Sequence, residues 1–215
     1  MLQLEVIEAE AFKSCKNLIR VVFPETLKKI RDFAFSGCSF EGQDIVIPEG
    51  VTYLGQGFLF NCDPASVMLP ASLENSFADG FLAGCSGKFL VSPENEKIKS
   101  VNGAVYSING ITLFAVPYDT EGRYRVPDGV RYIDEFAFIS TGVTEVQLPE
   151  GLLEIRKGAF SLCADLTYVN FPDSIEIIAE SAFTDTGLTT VYISESLQPY
   201  YAAAFDSDVT FLPKP

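Results

Sequence analysis

The 215-residue chain contains no histidine and no tryptophan. Lacking histidine, and lacking the paired C-x-x-C spacing of structural zinc sites, its five cysteines do not read as a metal centre. Five is an odd count, so a complete disulfide framework is excluded as well. Basic residues are scarce: 15 Lys and Arg stand against 29 Asp and Glu, a formal net charge of −14. Phosphate binding needs clustered Lys and Arg, so nucleic acid and anionic membrane surfaces are disfavoured as partners. The acidity reads either as self-repulsion that keeps an open chain soluble and monomeric or as attraction to a basic partner. No apolar run approaches the ~20 residues that span a bilayer, so no membrane insertion is expected. The start, Met1 to Glu8, has neither a basic n-region nor the apolar stretch of ~7–15 residues of a secretory signal. There is no G-x-S-x-G, no P-loop and no dinucleotide glycine motif.

What the chain does have is a repeat. Aligned on proline, the stretch Pro149, Leu152, Ile155, Ala159, Phe160 recurs as Pro172, Ile175, Ile178, Ala182, Phe183 and as Pro127, Val130, Ile133, Ala137, Phe138. The step is 22 residues from Pro127 to Pro149 and 23 from Pro149 to Pro172. A period of this length marks a solenoid in which each unit buries its apolar face only against its neighbours. Within a unit, Val169 and Phe171 alternate with polar residues as in a half-buried strand, Pro172 ends the strand, Ile175 and Ile178 point inward again, and Glu180 to Phe183 reads as one helical turn. About nine such coils are expected.

The expected organisation is a single domain over 1–215. Residues 1–85 form a first repeat block with units anchored at Pro24, Pro48 and Pro70. Residues 86–125 break the period and carry a β-hairpin, with Asn109-Gly110 as its turn between 104–108 and 111–116. Residues 126–215 form a second block anchored at Pro127, Pro149, Pro172 and Ser194, the last coil also holding Leu197, Ala204 and Phe205, and end in a strand from Val209 to Pro213. Leu4, Ile7, Ala11, Phe12 and Cys15 match the later half of a unit, which leads to the expectation of a longer parent protein.

The pattern L-x-x-V-x-F-P-x-x-I-x-x-I-x-x-x-A-F at Leu166 to Phe183 resembles the BspA-type leucine-rich repeats of bacterial surface proteins. The version ending in cysteine, at Leu18 to Cys38 and Val143 to Cys163, is similar, and so is the longer interrupting unit with Asn102-Gly103, Val105-Tyr106 and Asn109-Gly110. The resemblance implies a repeat solenoid with short parallel strands on one face and short helical turns. It also implies a non-enzymatic, cofactor-free protein-binding module at the cell surface or secreted, adhering to host matrix, plasma or neighbouring-cell proteins. The alternative is a structural spacer that presents other domains of the parent.

Candidate chemistry is sparse. Cys15, Cys38, Cys62, Cys85 and Cys163 share one slot, three residues after the phenylalanine or its leucine substitute, with Thr141 and Thr186 in that slot elsewhere. They read as a ladder of buried free thiols. Asp134-Glu135, Glu94 with Glu96, and Asp206 with Asp208 are the carboxylate groupings, and all read as solvated turn charges. Asp206-Ser207-Asp208 is too short to supply the six or more oxygens calcium prefers. If the strands stack, outward positions align into two rows. One holds Arg20, Asp44, Ser66, Arg123, Glu145, Tyr168 and Thr190; the other holds Val22, Val46, Met68, Arg125, Gln147, Asn170 and Tyr192. Val22, Val46, Met68, Arg123, Arg125, Gln147, Tyr168, Asn170 and Tyr192 are the expected partner-binding residues, because apolar and amphipathic aromatic side chains on a wet face are enriched at interfaces.

Overall fold

The computed structural model describes residues 3–73, 77–193 and 202–214. The chain resolves into two compact units, Met1–Asn109 with Phe114–Tyr118 and Gly110–Leu113 with Asp119–Pro215. The fold is a β-solenoid of short parallel strands and turns, with about nine coils in all. Ser194 and Leu197 lie outside the described residues.

Two parallel ladders run through the first unit. Strands β1 (Val6–Ile7), β2 (Lys29–Ile30), β3 (Asp44–Val46), β4 (Tyr53–Leu54), β5 (Ser66–Leu69) and β6 (Lys88–Val91) assemble as β1-β2-β4 and β3-β5-β6. The second ladder comes from the alternating strand segment before each proline, and the first from the I-x-x-I segment after it. Period 2 puts Ile45, Val67 and Phe89 inside while Val46, Met68 and Leu90 point out. The irregular segment adds β7 (Ile98–Val101) and β8 (Ala104–Ser107), an antiparallel pair in which Val101 faces Ala104. Its turn is Asn102-Gly103, with φ of 52° and 86°, the doubly left-handed geometry that a two-residue hairpin favours. Thus a hairpin precedes the Asn109-Gly110 turn, which leads from β8 to its neighbour in the sheet, β9 (Thr112–Ala115).

The second unit repeats the arrangement with β10 (Glu121–Arg125), β11 (Tyr132–Ile133), β12 (Gly142–Gln147), β13 (Glu154–Ile155), β14 (Tyr168–Asn170), β15 (Ile177–Ile178), β16 (Thr190–Tyr192) and β17 (Thr210–Leu212). One ladder is β10-β12-β14, another joins β11, β13 and β15, and β16 pairs with β17, all parallel.

The Ala-Phe segments are turns; among the described residues the one helical stretch is a 3-10 turn at Ala202–Ala204. The reason lies in the backbone. Phe136 and Ser140 both sit in the left-handed region, at φ 58° and 61°. The N–H groups of Phe136, Phe138 and Ser140 donate to the carbonyls of Lys157, Ala159 and Ser161 in the next coil, at 3.2, 2.7 and 3.0 Å. The intervening N–H groups of Ala137, Ile139 and Thr141 donate three residues back within their own coil, at 3.3, 3.1 and 3.0 Å. An α-helix would commit every N–H to its own axis; the two left-handed residues break that series and release alternate donors to the neighbouring coil.

Side chains between these turns fill the interior. In the second unit Phe138, Phe160 and Phe183 are fully buried, with stacked ring pairs 4.5 and 4.9 Å apart, and Phe205 continues the stack at 4.9 Å. In the first unit Phe35 stacks on Phe12 at 5.0 Å. Ala137, Ala159 and Ala182 are buried beside the rings, where only a small side chain fits between adjoining coils.

Phe160 has an aromatic ring on both sides, so its removal forfeits burial and leaves a cavity that the rigid coils close poorly. Phe160→Ala is expected to cost ~3–5 kcal/mol in equilibrium denaturation; a loss below about 1 kcal/mol would contradict the core register.

Candidate functional site

In the first unit the parallel register brings Asp44, Ser66 and Lys88 side by side, and next to them Val46, Met68 and Leu90. The second row is wet: Val46, Met68 and Leu90 are 53, 44 and 42% exposed. Val22, 77% exposed, lies before these strands and shares with Val46 a depression of about 410 Å³ that also touches Arg20 and Asp44. Ser66 stands on the outward side of β5 but is not exposed. It is buried, its hydroxyl donating to Asp44 Oδ1 at 2.6 Å, because a short side chain between longer neighbours is covered by them.

In the second unit Arg123, Glu145 and Tyr168 form one row and Arg125, Gln147 and Asn170 the other. Arg123 meets Glu145 through two contacts, Nε to Oε2 at 3.0 Å and Nη2 to Oε1 at 3.1 Å, and Arg125 reaches Asp128 at 3.3 Å. These exposed pairs contribute little to stability. Asn170 is half-buried, its amide committed to the fold: Oδ1 accepts from Leu148 N–H at 2.6 Å and Nδ2 donates to Leu148 O at 3.1 Å. Asn170 therefore extends the backbone ladder instead of offering its amide to a partner. Tyr168 and Tyr192, 51 and 43% exposed, line one depression of about 380 Å³ together with Glu150 and Lys214.

The cysteine slot divides. Cys38, Cys62, Cys85 and Cys163 are buried free thiols, but Cys15 is exposed. Cys15 belongs to the first described coil, and no described coil precedes it to supply the Phe carbonyl that the later thiols meet. Three of the buried thiols share a task, whereas Cys85 donates to Ser86 O at 3.4 Å. Cys38, Cys62 and Cys163 donate to the carbonyls of Phe12, Phe35 and Phe138 in the preceding coil, at 3.1, 3.1 and 2.9 Å. Thr141 is buried against Cys163, Oγ1 to Sγ 3.3 Å, whereas Thr186 donates to Phe183 O of its own coil at 3.1 Å. Desolvation pushes the Cys38 thiol up, that of Cys62 up to about 12 and that of Cys163 up to about 11, against the partial opposition of nearby hydrogen bonds.

The carboxylates separate likewise. Asp134, expected to be solvated, is buried and takes Arg156 Nη1 on Oδ1 at 2.6 Å, while Arg156 Nε lies 3.5 Å from Glu154 and its guanidinium 5.9 Å from the Tyr132 ring centroid. A buried carboxylate needs such a partner. Glu94 and Glu96 are exposed, and Asp206 accepts the Asp185 N–H at 2.9 Å. Among the described residues no three His, Cys, Asp or Glu side chains gather as a metal would require, and no helix is long and apolar enough to cross a membrane.

A family profile described as "BspA type Leucine rich repeat region (6 copies)" matches residues 3–117 and 123–211. The chain belongs to the BspA-type leucine-rich-repeat family. A comparison with curated proteins returned no match. Among solved structures, this BspA-type chain is similar to the pneumococcal vaccine antigen PcpA, with 22% identity, a TM-score of 0.61 and coverage of 78% of this chain and 48% of that one. It is also similar to a leucine-rich cell surface protein from Faecalibacterium prausnitzii A2-165, with 18% identity, a TM-score of 0.60 and coverage of 98% and 69%. A leucine-rich repeat protein from Eubacterium ventriosum ATCC 27560 follows at 17% identity, TM-score 0.53, covering 89% and 77%. These likenesses establish the fold, and the chain spans about half the length of the pneumococcal antigen.

The thiol arrangement predicts a split reactivity. In native protein near neutral pH, Cys15 should label rapidly with an aqueous thiol reagent, while Cys38, Cys62, Cys85 and Cys163 should react only on unfolding. Fast native labelling of Cys62 or Cys163 would contradict the burial. Because their folded pKa values lie above the unfolded value of 9.0, the stabilising effect of neutral thiols is complete below pH 9 and is lost as pH rises toward about 12 for Cys62 and about 11 for Cys163.

Proposed function

We propose that this chain is a non-enzymatic protein-binding module of a bacterial cell-surface or secreted protein, and that it adheres to host or neighbouring-cell proteins. The observation that carries this reading is the outward row Val46, Met68, Leu90, a contiguous apolar strip on an open sheet face, where a monomeric surface keeps its large apolar residues scattered. Membership of the BspA-type family supports it, as do relatives of the same fold described as a cell surface protein and a vaccine antigen. The residues we assign to partner contact are Val22, Val46, Met68, Arg123, Arg125, Gln147, Tyr168 and Tyr192, with Asn170 as a supporting residue. One observation favours a spacer role for the second unit: its face carries the paired charges of Arg123, Glu145, Arg125 and Asp128, which satisfy one another without a partner.

A binding screen of the purified protein against extracellular-matrix and plasma proteins separates the two readings. Adhesion predicts saturable binding to at least one of them; a spacer predicts none. With a partner in hand, Tyr168→Ala, Tyr192→Ala and Met68→Ala should each weaken binding by ~1 kcal/mol or more, with little change in folding stability. Unchanged affinity in all three, together with loss of binding on altering the 98–107 hairpin, would move the site off the sheet face.

A further inference from the structure

We infer that the apolar row of the first unit is a groove for one kind of occupant, an amphipathic helix of a partner protein with Lys or Arg along one flank. This inference rests on the protein-binding reading above and specifies the chemistry of the partner. Val46, Met68 and Leu90 pair in register across β3, β5 and β6 and form the floor of a depression of about 450 Å³. The charged side chains on its walls are Glu25 and Glu49, both exposed. Glu49 is held in place by the N–H groups of Ala71 and Ser72, at 2.9 and 3.2 Å, so that its charge is fixed at the groove edge.

Strand propensity does not account for the row. Val46 is β-branched, but Met68 and Leu90 are neither β-branched nor aromatic, the classes that strands favour. Nor does the coil geometry demand apolar residues there, because the matching row of the second unit reads Arg125, Gln147, Asn170. The row is therefore apolar for some reason outside the fold.

The spacing selects the shape of the occupant. Neighbouring strands lie ~4.8 Å apart, so the floor offers one apolar side chain per ~4.8 Å. An extended peptide laid across the strands would present same-face residues every ~6.7 Å and would fall out of step after one coil. A helix rises ~1.5 Å per residue, so its apolar positions i, i+3 and i+7 are ~4.5 and ~6 Å apart and together span ~10.5 Å, close to the ~9.6 Å from Val46 to Leu90, where two extended steps would span ~13.4 Å. Charge fixes the orientation. The flank beyond the prolines carries Glu25 and Glu49, whereas the opposite flank alternates in sign through Arg20, Asp44 and Lys88, so the partner's cations belong on the proline side. A net charge of −14 also speeds the approach of a cationic partner.

The test uses three synthetic 18-residue peptides titrated against the whole protein. The first is helical, with leucine at i, i+3, i+7 and lysine on one flank; the second replaces its lysines by glutamate; the third places the same residues in strict alternation. The inference predicts that the first binds at least tenfold more tightly than the other two. It further predicts that Met68→Asp weakens the first peptide at least tenfold, that Leu90→Ala weakens it severalfold, and that Glu25→Gln with Glu49→Gln both weakens it and flattens its salt dependence. Denaturation midpoints matching the parent protein show that each variant is folded. Absence of binding, a preference for the alternating or anionic peptide, or binding indifferent to Met68→Asp and Leu90→Ala would each overturn it. A matrix or plasma protein whose binding ignores these variants would overturn this inference and leave the adhesion reading standing, whereas a screen without any protein partner sinks the adhesion reading itself.

Discussion

The structure depends on where alternate backbone N–H groups go in the turn that carries Ala-Phe. Left-handed residues at both ends of these segments in the coils from Phe12 to Phe183, such as Phe33 and Gly37 or Gly158 and Leu162, turn every second donor toward the next coil. The conformation costs an L-residue roughly 1–2 kcal/mol, and glycine holds it only at some of these places, while Phe136, Ser140, Leu162, Ser181 and Asp185 bear it with side chains. The cost is offset because each released donor completes a hydrogen bond in a buried stack, where an unmade bond costs about 1–3 kcal/mol. Coil-to-coil spacing, and with it the ring stacking of Phe138, Phe160 and Phe183, follows from those bonds.

The cysteine slot solves what that arrangement leaves over. A Phe carbonyl already accepts from the N–H three residues on, as Phe35 O does from Cys38 N, and it retains a second lone pair facing the neighbouring coil. The thiol of the next coil, Cys62, fills that need at 3.1 Å while packing as a small apolar group. Cysteine here is a buried capping residue, and the upward shift of its pKa is a consequence of that burial. The same economy governs Ser72 and Ser174, whose hydroxyls accept from Gly50 and Gly151 N–H and donate to Val51 and Leu152 carbonyls one coil earlier.

Much of this was legible in the residues. Period 22 or 23, the alternation around Val169 and the recurring Ala-Phe pair lead directly to the solenoid, its inward residues and the outward rows. The turn conformation was hidden, because Phe136 and Ser181 occupy left-handed positions that glycine marks in sister coils at Gly57, Gly80 and Gly158. Comparing those slots across copies is the signal that was available. Leu90 escapes the sequence reading for a related reason: the proline-anchored period breaks after Cys85, yet β6 continues the ladder of β5 before the chain departs into its hairpin. Burial of Asp134 depends on Arg156, one coil away, and no local pattern foretells that pairing. Asn170 looked like a contact residue because its position faces outward, and only its bonds to Leu148 show that the fold uses it.

Position 140 tests the backbone account most directly. Ser140 has φ of 61° and donates its N–H to Ser161 O, so glycine should suit the site better than alanine. Equilibrium denaturation of Ser140→Gly and Ser140→Ala should find the glycine variant more stable by ~1 kcal/mol. If the segment were an ordinary helical turn the order would reverse, alanine exceeding glycine by ~1 kcal/mol, and the alternate-donor arrangement would be contradicted.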